Sequence, residues 1–186
     1  MKIDLDMLWD KLNDIEYIVL RNYLNASDEV AKGGDIDLLC ESRDVLIERL
    51  HLVSRANDGN LNNCKTIING VEIPIDVRYI GDNYYDHNWE NDMIKRKKKF
   101  GKCYVIGEYD EDYSILYHIL LHKYDIPSKY NGFLKKKFGN IETNILIDRL
   151  AEYMRSNGYS PENPVDKGVC FNQSNYITLL KRIKNE

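Results

Sequence analysis

The sequence predicts an α/β fold, a small mixed β-sheet flanked by helices, followed by a helical C-terminal half. Three observations carry this. Short runs rich in β-branched residues alternate with amphipathic segments through about residue 105. Two of those runs flank Asn69-Gly70, the residue pair most typical of a two-residue hairpin. From residue 106 onward the apolar residues recur at helical spacing. The expected organisation is therefore an α/β domain over 1–105 and a helical region over 106–186.

The elements follow in order. "DLDMLWDKLNDI" (4–15) places Leu5, Leu8, Trp9, Leu12 and Ile15 on one helical face. "YIVLRNY" (17–23) reads as a strand and "NASDEVAKGG" as a polar loop. "DIDLLCE" (35–41) is the second strand. Ser42 is an N-cap candidate for "RDVLIERLHLVSRA", a helix expected to carry Val45, Leu46, Leu50 and Val53 on one side. "CKTIIN" and "VEIPIDVRYI" form the hairpin. "NWENDMIKRKKK" reads as a helix, "CYVIG" as a short strand and "DEDYSILYHILLHKYD" as a helix. "NIETNILIDRLAEYMRSNG" is a helix ending at Gly158, and "NYITLLKRIKN" is the last helix.

Composition narrows the function classes. The net charge of −4 disfavours a general polyanion binder. The lysines nevertheless cluster in "KRKKKFGK" (95–102) and "KYNGFLKKKFG" (129–139), each read as a solvated helix end and loop or as a surface facing phosphates. No apolar run approaches the roughly 20 residues of a membrane span. Acids stand in "MKIDLDMLWD" where a signal peptide would be apolar, so a cytoplasmic protein is expected. The four cysteines show no C-x-x-C spacing, which reads as reduced thiols and argues against a zinc ribbon. Fourteen tyrosines suggest amphipathic surfaces and groove walls.

The chemistry concentrates in "KGGDIDLLC" (32–40). Residues two apart on a strand share a face, so Asp35 and Asp37 lie together while Ile36 and Leu38 face a core. In "VEIPIDVRYI", Ile73, Ile75 and Val77 take the core face, and Asp76 and Arg78 the opposite one. If the strands are neighbours, three carboxylates converge. They repel one another unless a cation lies between them. Mg²⁺, or Mn²⁺ in its place, suits carboxylate oxygens together with substrate phosphates. Solvated surface charge is the alternative reading of the Asp-x-Asp pair alone.

Strand, helical loop, "GGDIDLL", helix, then a strand carrying "IPIDVR" resembles the nucleotidyltransferase superfamily with the polymerase-β-like fold. The resemblance covers about residues 15–80. It implies that Asp35, Asp37 and Asp76 are the catalytic, metal-holding acids of a transferase that moves a nucleoside monophosphate from an NTP to an acceptor hydroxyl or phosphate. "VLRNY…DIDLL" is similar to the nucleotidyltransferase-like proteins of bacterial surface-polysaccharide loci. The family usually shows Gly-Ser after the first strand, and this chain has Arg21-Asn22 there. Arginine can fork onto a phosphate and asparagine can hydrogen-bond one. Arg21, Asn22, Lys32, Gly33, Gly34 and Arg78 are thus the nucleotide-binding candidates. The acceptor is a small molecule, a sugar or a protein, with RNA less favoured. The alternative is an altered member that binds a nucleotide or a protein partner without turnover.

Other candidates stand apart from this motif. His118 and His122 lie one helical turn apart and read as buried structural histidines or, with Lys123, as acceptor or phosphate contacts. Trp89 reads as core or as a stacking platform, and Cys40 as a small core residue.

Overall fold

The apolar spacing at Leu5, Leu8, Trp9 and Leu12 becomes a buried stripe through α1 (Asp6–Lys11). This is seen in a computed structural model that describes residues 3–56, 59–166 and 168–185. β1 (Tyr17–Val19) is shorter than the sequence suggests, although the Leu20 N–H still donates to the Asp37 carbonyl at 2.9 Å. Asn22 then takes a left-handed φ of 58° and turns the chain into a 3₁₀ turn, Tyr23–Asn25. The expected loop at 25–34 instead carries α2 (Ala26–Ala31). Asp28 and Glu29 in its first turn suit the positive end of the helix dipole, and buried Val30 anchors it.

β2 (Ile36–Cys40) is buried along its whole length. Ser42 caps α3 (Arg43–Leu50), accepting from the Val45 N–H at 3.5 Å. The helix ends six residues earlier than expected. His51 turns left-handed, and the Leu52 N–H returns to the Ile47 carbonyl at 3.0 Å. Leu46 and Leu50 face the core as expected, but Val45 and Val53 are exposed. Val53 belongs to β3 (Val53–Ser54) and not to the helix.

β4 (Asn63–Ile68) and β5 (Val71–Tyr79) form the hairpin. Asn69 (φ 51°) and Gly70 (φ 76°) both take positive φ, as a type I′ turn needs. The first lysine run begins at the end of α4 (His87–Lys95) and continues through β6 (Lys98–Phe100), which forms a hairpin with β7 (Cys103–Val105).

The sheet order among the described residues is β3-β4-β5-β2-β1-β7-β6. It is mixed, with β1 antiparallel to β2, and β2 parallel to β5. One face packs Ile36, Leu38, Ile73, Ile75 and Val77 with the α1 stripe, Leu46 and Leu50. The pleat puts Asp35, Asp37, Asp76 and Arg78 on the other face.

The chain divides into two compact units. Met1–Gly81 with Glu90–Gly107 contains the sheet, and Asp82–Trp89 with Glu108–Glu186 is helical. The second unit holds α5 (Glu108–Leu121), α6 (Asn131–Phe138), α7 (Thr143–Asn157) and α8 (Gln173–Lys184). α7 stops at Gly158 in the left-handed conformation, as the sequence predicts. The second lysine run lies on α6, held by buried Leu134. Trp89 is fully buried, donating its indole N–H to Asp110 at 2.9 Å, which settles it as core. Cys40 is also fully buried. No helix among the described residues is long and apolar enough to cross a membrane.

Candidate functional site

Register builds the site. β2 and β5 run parallel with Asp37 directly beside Asp76, and Asn63 of β4 lies on the far side of Asp76. Two of the three acids are thus adjacent, and the pleat turns Asp35 to the same face. Asp35 is exposed, just before β2 begins. Asp37 is buried, and a quarter (26%) of the Asp76 side chain reaches solvent.

Each of the two inner acids holds an arginine. Arg21, one residue beyond the last β1 bond, forks onto Asp37: its Nε donates to Oδ2 at 3.0 Å and its Nη2 to Oδ1. The two side chains are only 10% and 9% exposed. Arg78 donates through Nη2 to Asp76 Oδ1 at 3.0 Å, two residues along the same strand face. The sequence placed Arg21 and Arg78 as phosphate contacts. Here both serve as counter-ions of the acids.

The electrostatics of Asp76 record this crowding. Burial pushes its carboxyl up to about 6, opposed by Arg78 and assisted by Asp37, with smaller effects from Arg21 and Asp35. Cys64 is pushed up to about 11, mainly by burial and secondarily by Asp76, so it remains a neutral thiol.

The other nucleotide candidates lie around α2. Asn22 is exposed at the left-handed corner after Arg21. Gly33 (φ 86°) and Gly34 close α2: the Gly33 N–H bonds Val30 O and the Gly34 N–H bonds Glu29 O, both at 2.9 Å. A Cβ on Gly34 would lie 3.0 Å from that Glu29 oxygen. The helix end alone therefore explains both glycines. Lys32 is exposed, 3.7 Å from Glu29.

The two histidine candidates of the second unit are built into its interior. His118 Nδ1 lies 2.6 Å from the Tyr84 hydroxyl. His122, 2% exposed, meets the Cys170 and Tyr84 carbonyls at 3.2 Å each and stacks on the Tyr84 ring at 3.8 Å. Lys123 lines a polar cleft of about 580 Å³ with Asn131, Thr143, Asn172 and Asn175. Asn63 was not singled out from the sequence, because only strand register places it beside Asp76.

Three carboxylates share one face, the donor type a hard divalent cation takes, and Asp76 is raised chiefly by burial, with Asp37 and Asp35 adding to it. Their present arrangement is that of two ion pairs. Among the described residues no group of three or more His, Cys, Asp or Glu side chains is set to hold a metal. No protein-family model, no curated protein and no solved structure matches the chain.

Proposed function

We propose that the chain is an Mg²⁺-dependent nucleotidyltransferase of the polymerase-β-like fold, moving a nucleoside monophosphate from an NTP to an acceptor hydroxyl or phosphate. The observation that carries this is the in-register pair Asp37–Asp76 on parallel strands, with Asp35 two residues before it. Asp35, Asp37 and Asp76 would hold the cation, which when bound neutralises charge on the reacting phosphate. Asp76 would also help to take the proton of the acceptor hydroxyl. Arg21 and Arg78 carry the guanidiniums, and Asn22 the amide, for the triphosphate oxygens. Mn²⁺ would serve in place of Mg²⁺, and the acceptor is a small molecule, a sugar or a protein.

A second reading has its own observation. The forked Arg21–Asp37 pair suits an altered member that binds a nucleotide or a protein partner without turnover. Thermal unfolding with each NTP, with and without Mg²⁺, separates the readings together with pyrophosphate release. A ligand at 100 times its dissociation constant adds about 2.7 kcal/mol to a folded state that alone binds it. Mg²⁺-dependent stabilisation with pyrophosphate release is the expected result. Stabilisation without release supports the second reading, and no response to any NTP refutes the first.

A further inference from the structure

We propose that the helical unit carries a binding site for a neutral sugar, in the polar cleft where the chain leaving α5 meets α6, α7 and α8. The cleft lies wholly within that unit and does not rest on the nucleotidyltransferase reading.

The first support is a fixed frame. Asn172 Nδ2 donates to the Lys123 and Tyr124 carbonyls at 3.3 and 3.0 Å, and its Oδ1 accepts from the Asn175 N–H at 3.1 Å. The Asn172 N–H donates to the Leu121 carbonyl and Asn175 Nδ2 to the Leu120 carbonyl, both at 2.8 Å. Two asparagines thus stitch the chain leaving α5 to the first turn of α8. The wall that carries Lys123 and Tyr124 is held before a ligand arrives, which lowers the ordering cost of binding.

Unspent hydrogen-bonding capacity is the second support. Lys123, Asp125, Asn131 and Thr143 line the cleft, and their side chains make no hydrogen bond or ion pair with any described residue. Lys123, Asn131 and Thr143 are half-buried, so part of their access to water is already gone. The mixture is an ammonium that only donates, a carboxylate that only accepts, and an amide and a hydroxyl that do both. A sugar hydroxyl also donates and accepts at once, and a ring carrying several of them suits such a lining.

Charge and the exposed ring are the third. Among the described residues that line the cleft, Lys123 is the one cation and Asp125 the one acid. An anion would meet Asp125 and a cation would meet Lys123, whereas a neutral ligand opposes neither. Tyr124, also lining the cleft, is 78% exposed. The negative face of its ring suits the polarised C–H bonds of a sugar. The volume of about 580 Å³ falls among small-molecule sites, at roughly 300–1,000 Å³.

The test measures binding to the full chain, without nucleotide or metal. Methyl glycosides of glucose, galactose, mannose, rhamnose and N-acetylglucosamine are titrated by calorimetry and saturation-transfer NMR, with glucuronate and inorganic phosphate as charged probes. Wild type should bind at least one neutral glycoside saturably, with an affinity unchanged between about 0.05 and 0.3 M salt. Tyr124→Ala should weaken that binding about tenfold, while Tyr124→Phe, which keeps the ring, should retain it. Asn131→Ala should weaken it about fivefold. Neither side chain has a bond to lose within the protein, and circular dichroism checks that the variants fold. Lys181→Ala, at an exposed position further along α8 that does not line the cleft, should change nothing. Three results overturn the proposal: no saturable binding of any neutral glycoside, binding untouched by Tyr124→Ala and Asn131→Ala, or preference for glucuronate or phosphate that falls with salt. Each would leave the nucleotidyltransferase reading standing, since pyrophosphate release tests that separately.

Discussion

Asp76→Asn should stabilise the protein at neutral pH. Burial, with Asp37 and Asp35 adding to it, outweighs the attraction of Arg78 and Arg21 and lifts the Asp76 carboxyl from its ordinary 3.8 to about 6. The folded protein thus holds this proton more tightly than the unfolded chain does. Stability from this group is complete below about pH 4, falls as pH rises from about 4 to about 6, and is level above that. A displacement of about two pH units corresponds to about 3 kcal/mol. A quarter of the side chain is open to water, so half of that, about 1.5 kcal/mol, is the expected size. Asparagine removes the charge and keeps an oxygen for Arg78. Denaturant unfolding of both proteins at pH 4.5 and 7.5 gives the answer, because taking their difference cancels the titrating groups that do not interact with Asp76. The variant should gain about 1.5 kcal/mol at pH 7.5 and much less at pH 4.5. A difference that does not change with pH, or a variant less stable at pH 7.5, refutes the reasoning.

The neighbouring acids should divide stability from chemistry. Asp35→Asn, at an exposed position, should leave stability within about 0.5 kcal/mol while abolishing pyrophosphate release, and retained release would remove Asp35 from the site. Asp37→Asn leaves the Arg21 guanidinium without its carboxylate and should cost about 3 kcal/mol in denaturant unfolding; a cost under about 1 kcal/mol would mean the pair is not tightly held. In the second unit, Trp89→Phe takes a donor from fully buried Asp110 and should destabilise by about 2 kcal/mol, read the same way; no loss would show that the bond contributes nothing.

Much of the sheet was legible because its signals are local. Alternation gave the two faces of β2 and β5, and Asn69-Gly70 gave the hairpin that joins β4 to β5. α2 was hidden because Asn25, Ser27 and Asp28 are turn formers by type, and a six-residue helix is too short to show periodicity. β7 was legible in "CYVIG", but its partner β6 was hidden for a different reason. Lys98, Lys99 and Phe100 are all exposed, so no alternation marks the strand, and pairing with β7 alone makes it one. The C-terminal end of α3 was obscured by Leu52 and Val53, which continue its apolar pattern past a left-handed His51.

The site was half legible, and the division has a physical cause. Side-chain period fixes which face a residue points to, so one strand's sequence suffices to align Asp35 with Asp37 and Asp76 with Arg78. It does not fix what lies across the gap. Arg21 reaches Asp37 only because β1 pairs antiparallel with β2 and leaves the arginine one residue past the last bond, a relation spanning 16 positions. That one side chain changes what Asp-x-Asp means. Without it, the Asp-x-Asp pair reads as acids open to a cation. With it, the buried acid is already compensated, and any cation must compete with a forked guanidinium.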